Sequence, residues 1–510
     1  MTDKIKIDTI RGGNLLRELR ADDVGIIEDS SRMNGELPKG WIVTTIGDIL
    51  DISVEKTNPP FTNIYTYIGL EHIERNSGKI IDIGRPEEIK STKTVFHSGD
   101  LLYGKLRPNL NKVWVADRNG ICSTDILVFV KNSNISNKFF LYRLLSYDYV
   151  SYASHITSGV ELPRIDQKKI NQFSIFLPPL NEQHRIVAKI EELFTQLDAG
   201  IASLQAAQVK LNQYRKAVLK HAFEGKLTEA WREAYKDEIE PVSVLLERIR
   251  EERRKDKKYK ELPPVDAEGL PELPEGWVWT TIETLHPAQR TCAYGVLQPG
   301  DEVEGGIPLV RVGDIGEGGF YNTNLKKIDP KISEKYKRTI LQGGEVLVSL
   351  VGAIGRTAVV PDCLKGANTA RAVGVIPLSE HINSHYLEMW IRHPTNNAEL
   401  ESKAHEVARK TLNLEDVRVF KVALAPKKEQ DKIVSEIRQK ISIIDSIDKI
   451  VFQSILQSDL IRQSILKKAF EGRLVPQDPS DEPASVLLEK IRQEKITREP
   501  KKRGRKNKGT

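Results

Sequence analysis

Cysteine is scarce: Cys122, Cys292 and Cys363 stand far apart in 510 residues, with no C-x-x-C pair. That excludes a disulfide scaffold and a cysteine-based zinc site, and it suits a reducing compartment. Of the ten histidines only His381 and His385 stand at H-x-x-x-H spacing, and one such pair by itself makes no metal site. No apolar run approaches the roughly eighteen residues of a membrane span. The opening Met1-Thr-Asp-Lys-Ile-Lys-Ile lacks the apolar core of a signal peptide. The expectation is a cytoplasmic protein without a membrane partner. Charge of one sign is also lacking, with 77 basic and 71 acidic residues and a net charge of +6. Such a balance permits an acidic partner without establishing one, because what matters is where the charges sit. What the chain has is length, enough for two or more folded units.

It also has an internal repeat. Leu37-Pro-Lys-Gly-Trp41-Ile-Val-Thr-Thr-Ile46 returns as Leu273-Pro-Glu-Gly-Trp277-Val-Trp-Thr-Thr-Ile282. Glu182-Gln183-x-x-Ile186-Val187 returns as Glu429-Gln430-x-x-Ile433-Val434, and Ala222-Phe-Glu-Gly225-Lys-Leu227 as Ala469-Phe-Glu-Gly472-Arg-Leu474. Pro241-Val-Ser-Val-Leu-Leu-Glu-Arg-Ile-Arg250 returns as Pro483-Ala-Ser-Val-Leu-Leu-Glu-Lys-Ile-Arg492. Four motifs in one order make two half-molecules with a shared frame. Between the motifs the halves hardly match.

The offset is constant from Gln183 to Leu227, and that stretch reads as a long helix. Ile186, Ile190, Leu193, Leu197, Ile201, Leu204, Leu211 and Val218 recur mostly at spacings of three, four or their sum. Ile433, Ile437, Ile444, Val451, Ile465 and Ala469 fall on the same frame. Ile186, Ile190, Leu197, Leu204 and Val218, with Ile433, Ile437, Ile444, Val451 and Ile465, are the candidate seam residues of a paired coiled coil. The alternative is an ordinary buried helix hairpin; shared length and shared terminators favour the coil. Gln208, Arg215, Asp448 and Ser458 interrupt the stripes, so these helices need each other or another partner. Pro178-Pro179 forbids an earlier start and makes Asn181 the expected N-cap. Gly225 and Gly472 look like left-handed terminators.

The intervening blocks carry strand-like runs, Ile126–Val130, Val346–Leu350 and Val373–Ile376, and helical pieces at Lys138–Ser146 and Ser384–Ile391. Each is expected to be an α+β domain with its own core. The predicted order is an extension over 1–36, a block over 37–178, a helix over 179–226, and a connector over 227–272. A second block over 273–425, a second helix over 426–473, and a C-terminal helix with basic tail over 474–510 complete it. The tail, Arg498 to Lys508, reads either as a solubilising segment or as a nucleic-acid contact.

Catalytic readings fail one by one. Asn58-Pro59-Pro60-Phe61 imitates the target-base loop of adenine methyltransferases, but no glycine-rich strand-to-helix turn accompanies it, so it is read as a turn. Gly99-Asp-Leu-Leu-Tyr-Gly104-Lys105-Leu106 imitates a P-loop, yet Leu106 replaces the magnesium-binding hydroxyl and Arg107-Pro108 spoils the helix that must follow. Pro361-Asp362-Cys-Leu-Lys365 lacks the carboxylate partner a nuclease metal requires. What remains is recognition. Lys105, Arg107, Asn109, Asn111 and Lys112 cluster after one strand; Ser349, Arg356, Asn368 and Arg371 occupy the corresponding region of the second block. Arg164, Arg311 and Lys410 complete the candidate DNA-binding set. Arginine reads guanine edges, asparagine reads adenine, and lysine holds phosphates. The alternative is that these are ordinary polar loop residues.

The repeated frame resembles the specificity subunit of type I restriction–modification enzymes. The resemblance rests on Leu37-Pro-Lys-Gly-Trp41, Leu177-Pro-Pro-Leu-Asn-Glu-Gln183, Phe223-Glu-Gly-Lys-Leu-Thr-Glu-Ala-Trp231 and Ala484-Ser-Val-Leu-Leu-Glu-Lys-Ile-Arg492. It covers nearly the whole chain from Leu37; the second copy departs mildly, with Ala425-Pro426 for Pro-Pro. It implies a DNA-reading adaptor without catalysis of its own. Two target-recognition domains would each read half of an asymmetric bipartite site, on two long antiparallel coiled-coil helices related by a pseudo-twofold repeat. The implied partners are double-stranded DNA, two modification subunits and two restriction subunits. S-adenosylmethionine, ATP and Mg2+ would sit on those partners. Rival readings are a coiled-coil protein–protein scaffold and a self-sufficient methyltransferase.

Overall fold

The computed structural model describes residues 37–61, 66–157, 162–256, 259–316, 318–321, 324–406 and 410–498. The expected extension over 1–36 and the basic tail beyond residue 498 lie outside the described residues. The described residues form two compact units, one made of those up to 203 together with those from 454 onward, the other of those from 204 to 453. No helix among the described residues is long and apolar enough to cross a membrane.

Both units are built on one plan. In the first, strand Ile42–Thr45 pairs antiparallel with Ser174–Leu177; in the second, Val278–Thr281 pairs with Lys421–Leu424 in the same way. This two-stranded ribbon brings the two ends of each block together. Inside the first block, Leu101–Gly104 is the middle strand of an antiparallel sheet between Val113–Val115 and Ile126–Phe129. Inside the second, Val346–Ser349 lies between Thr357–Val359 and Val373–Ile376. All the residues of these two middle strands are buried, so each strand is an unbroken run without polar alternation. Helix Asn137–Leu145 packs on the first sheet and Ser384–Arg392 on the second.

The repeated motifs have a physical purpose. Trp41 Nε1 donates to Glu182 Oε2 at 3.0 Å, and Trp277 Nε1 donates to Glu429 Oε2 at 2.9 Å. Gln183 Oε1 accepts from the backbone of Ser136, the N-cap of the 137–145 helix, and Gln430 Oε1 accepts from Asn383, the N-cap of 384–392. Each Glu-Gln pair therefore ties the start of its block and one internal helix to the start of a long helix. All four carboxylate and amide side chains are buried, where such groups require partners.

The long helices span Leu180–Phe223 and Lys427–Phe470, 44 residues each, or about 66 Å at 1.5 Å per residue. The expected N-cap shifts: Asn181 lies inside the first turn, because the Pro179 carbonyl already accepts from the Gln183 amide at 2.9 Å. The Pro426 carbonyl does the same for Gln430 at 2.9 Å. Ala425 in place of a proline leaves the entry unchanged, since its carbonyl accepts from Gln430 Nε2 as that of Pro178 does from Gln183 Nε2. Gly225 and Gly472 both have φ +70°, the left-handed conformation that ends a helix at little cost for glycine.

The residues that interrupt the apolar stripes pair across the helices. Within the second unit Gln208 donates to Asp448 at 3.2 Å and Arg215 to Asp445 at 2.7 Å. As one position number rises the other falls, so the two segments run antiparallel. Within the first unit Arg462 pairs with Asp198 and lies 4.9 Å over the Phe194 ring. Leu197 and Leu204 are half-buried, as a two-helix seam leaves them. Ile444 and Val451 are buried. The outer seam candidates belong to block cores. Ile186 and Ile190 join a cluster with Trp41, Phe139, Leu466 and Phe470, against which Ile465 packs. Val218, Ile433 and Ile437 join the corresponding cluster with Trp277 and Tyr386.

Each core thus takes the start of one long helix and the end of the other. Each also takes a short helix from the far side of the sequence repeat. Ala484, Leu487, Leu488 and Ile491 of helix Ala484–Arg498 are buried in the first unit. Val242, Leu245, Leu246 and Ile249 of helix Val242–Arg254 are buried in the second.

Candidate nucleic-acid interface

In both units the middle strand runs out into a loop that is held by the segment entering the block's last short helix. After Leu101–Gly104, the Arg107 amide donates to the Pro163 carbonyl at 2.7 Å and the Ile165 amide to the Lys105 carbonyl at 3.1 Å. After Val346–Ser349, the Gly352 amide donates to the Lys410 carbonyl at 3.2 Å and the Leu412 amide to the Leu350 carbonyl at 2.8 Å. The construction is the same and the side chains differ. Arg107 adopts φ +50°, a left-handed conformation uncommon for a residue with a Cβ; Gly352 stands at the matching bond with φ +81°.

The loop after the first strand exposes Arg107 and Asn109. Arg164 joins them through its bridge to Leu106 and pairs with Asp125 at 3.1 Å. Lys105 is half-buried. Two neighbours are engaged by the fold. Asn111 is 1% exposed and its Nδ2 donates to the Leu144 carbonyl. Lys112 Nζ donates to the Leu70 carbonyl, and burial lowers its pKa. In the second unit Arg356, Arg371 and Lys410 are exposed. Arg311 pairs with Asp314 at 3.2 Å, which raises its pKa. Ser349 and Asn368 are fully buried. The Ser349 hydroxyl donates to the Ala353 carbonyl and accepts from the Arg356 amide, fastening the loop at both ends. Asn368 accepts from Thr339 at 2.7 Å and donates to Ser333 Oγ at 3.0 Å. The side chains of Asn111, Ser349 and Asn368 therefore shape loops and strands from inside, without a free edge for a base.

The second unit also holds a cleft of about 740 Å³, lined by Tyr294, Lys335, Tyr336, Lys337, Arg338, His405 and Arg418 among others. Tyr294, Lys335, Lys337 and Arg338 are exposed. Its floor is structural: Arg418 donates to the Cys292 carbonyl at 3.1 Å, and burial pushes the Cys292 thiol up to about 12, so it is no nucleophile. Basic side chains interleaved with aromatics suit a nucleic-acid backbone and its bases. The run Lys335-Tyr-Lys-Arg338 marks this cleft in the sequence and lies outside the candidate contacts read there.

The Asn58–Phe61 string forms a bend at Pro59-Pro60. Gly104-Lys105 leads into a single turn of 3-10 helix at Pro108–Leu110, too short to cradle a triphosphate.

The model of the type I restriction modification DNA specificity domain matches residues 38–205 and 297–450. The specificity subunit of the type I restriction enzyme EcoBI from Escherichia coli is 34% identical over 379 residues, covering 72% of this chain and 74% of its own. The EcoKI specificity subunit of Escherichia coli strain K12 is 26% identical over 381 residues, covering 70% and 72%. The HsdS subunit from Thermoanaerobacter tengcongensis shares the fold, with a TM-score of 0.57 at 20% identity over 86% of this chain and 99% of that one. A chain solved in structural work on assembly and conformational transition of the type I R-M system gives a TM-score of 0.63 at 18% identity, over 86% and 100%. With a family match across more than half its length in two segments, one in each half of the internal repeat, the chain belongs to the type I restriction–modification DNA specificity family.

Proposed function

We propose that the chain is the non-catalytic DNA-reading subunit of a type I restriction–modification complex. The blocks over 37–178 and 273–425 each read one half of an asymmetric bipartite site, and the helices over 179–226 and 426–473 set the distance between the halves. The observation that carries this reading is one loop construction used twice with unlike exposed side chains: Arg107, Asn109 and Arg164 in one block, Arg356 and Lys410 in the other. A common scaffold with divergent tips suits two readers of different sequences. Lys335, Lys337 and Arg338 line the cleft as phosphate-holding groups, and the exposed Arg371 is a further candidate contact of the same block. Two modification subunits supply S-adenosylmethionine chemistry at adenine, and two restriction subunits supply ATP- and Mg2+-dependent translocation and cleavage. The chain binds none of these cofactors itself. Mapping methylated adenines genome-wide, in cells with and without this gene, tests the proposal. The expected result is one asymmetric bipartite motif methylated only when the gene is present. Unchanged methylation on deletion would overturn it.

A further inference from the structure

Helix Val242–Arg254 and helix Ala484–Arg498 are the repeated copies that close the two cores, and each is clasped to its block once more near its C-terminal end. In the first unit the clasp is an amide on a carboxylate: Asn134 Nδ2 donates to Glu494 Oε1 at 2.6 Å. In the second unit the same two positions are His381 and Glu252, with Nε2 and Oε1 3.0 Å apart. The loops that carry them match bond for bond. Ile135 and Ile382 are buried in both, and their amides donate to the carbonyls of Asn132 and Ser379. The second unit also brings a carboxylate beside the histidine: Glu380 stands where the first has Ser133.

That exchange turns a hydrogen bond into a ligand set. One ligand atom each from Glu252, Glu380 and His381 lie within 4.8 Å of one another. Zinc-type ions take nitrogen and carboxylate ligands at about 2.0–2.2 Å, and Glu380, being exposed, is free to turn its carboxylate toward the other two ligands. Both supporting elements are fixed. The helix is anchored by Leu245, Leu246 and Ile249, and by Arg253 donating to the Glu283 carbonyl at 2.7 Å. The loop is anchored by Ile382 and by the Asn383 amide on Gln430. Cations beside His381 are engaged elsewhere: Arg248 with Glu240, Lys427 with Asp431 at 3.1 Å, and Lys428 with the Glu238 carbonyl at 3.2 Å. Glu380 has no ion pair among the described residues. We propose that Glu252, Glu380 and His381 form a site for a divalent transition-metal ion of the zinc type, which fastens the 242–254 helix to the second block; the first unit, with Ser133 and Asn134, has no such site.

The test uses the full-length chain and zinc chloride alone, with cobalt as the spectroscopic stand-in. Titration calorimetry should find one ion per chain whose binding weakens at least tenfold in His381→Asn, and visible cobalt bands that disappear in that variant. Asparagine is the residue the first unit uses against the same glutamate, so the metal-free fold and its unfolding midpoint should be unchanged. Zinc should raise the unfolding midpoint of the wild type and leave that of His381→Asn where it was. Should His381→Asn fail to fold, Glu380→Gln replaces it, at an exposed carboxylate outside any ion pair described. Equal zinc affinity in the wild type and the folded variant, or no binding by the wild type at 100-fold excess over about 1 µM protein, would overturn the proposal.

Discussion

At the scale of single residues, buried polar groups decide more than exposed ones. His286 is fully buried, and burial lowers its pKa from 6.5 to about 4. Its Nδ1 lies 2.7 Å from the Pro377 carbonyl, and its Nε2 faces the Cys292 amide at 3.4 Å. The ring is therefore neutral, donating at Nδ1 and accepting at Nε2. Between pH 6.5 and 4 the unfolded chain binds the proton and the folded chain does not, so stability falls as pH falls through that window. A gap of about 2.5 units corresponds to roughly 3 kcal/mol at full extent, of which about 2 kcal/mol is lost by pH 5. Urea unfolding of the wild type and His286→Asn at pH 7 and pH 5 measures this, with the variant's pH dependence flatter by that amount. A second residue-scale case is Glu182. Burial holds its carboxyl above the ordinary range, and Oε1 has no hydrogen-bond partner among the described residues. In the other copy the Thr228 hydroxyl donates to Glu429 Oε1 at 2.7 Å, and the sequence repeat puts Val475 at the position of Thr228. Val475→Thr should stabilise the protein by about 0.5–1.5 kcal/mol, read as a higher urea midpoint at constant slope. At the reading loops, Arg107→Ala and Arg356→Ala should each weaken specific DNA binding by about 1–3 kcal/mol where the contact is to a base, relaxing one position of the site. Loss spread evenly over all sequences would make them phosphate contacts. Unchanged affinity in both would remove these loops from the interface.

At the scale of elements, the long helices were the most legible part of the sequence, and the loops the least. The stripe from Ile186 to Val218 and the terminators Gly225 and Gly472 reported helix length directly, because period and left-handed glycine are local properties. Which core each helix end enters was not legible, since Phe223 and Phe470 reach cores formed by residues far away in the chain. Asn111 and Asn368 read as candidate contacts for the same reason, since the groups that hold them come from Leu144 and Ser333 far along the chain, whereas Ser349 is held by Ala353 within a loop whose shape the sequence does not show. The helices support a prediction of their own. Adding one heptad after Leu204 and one after Val451 keeps the apolar frame and lengthens each helix by about 10 Å. At about 3.4 Å per base pair, and with some tilt, the spacer of the methylated motif should grow by roughly one to three base pairs. Its half-sites should stay the same. An active variant with its original spacer would show that the helices do not set the distance.

At the scale of the whole molecule, the repeated motifs form the frame, and the unlike segments between them are the readers in the proposed function. Trp41 with Glu182 and Trp277 with Glu429 close the two blocks in the same way, so a block can be exchanged without changing how it is held. The direct measurement of this account is the motif methylated by a complex whose specificity chain carries, in place of residues 37–178, the matching block of another family member. The expected motif has one half-site replaced, the other half-site unchanged and the spacer length retained. A motif altered in both halves would contradict it, because the two blocks would then not be independent readers.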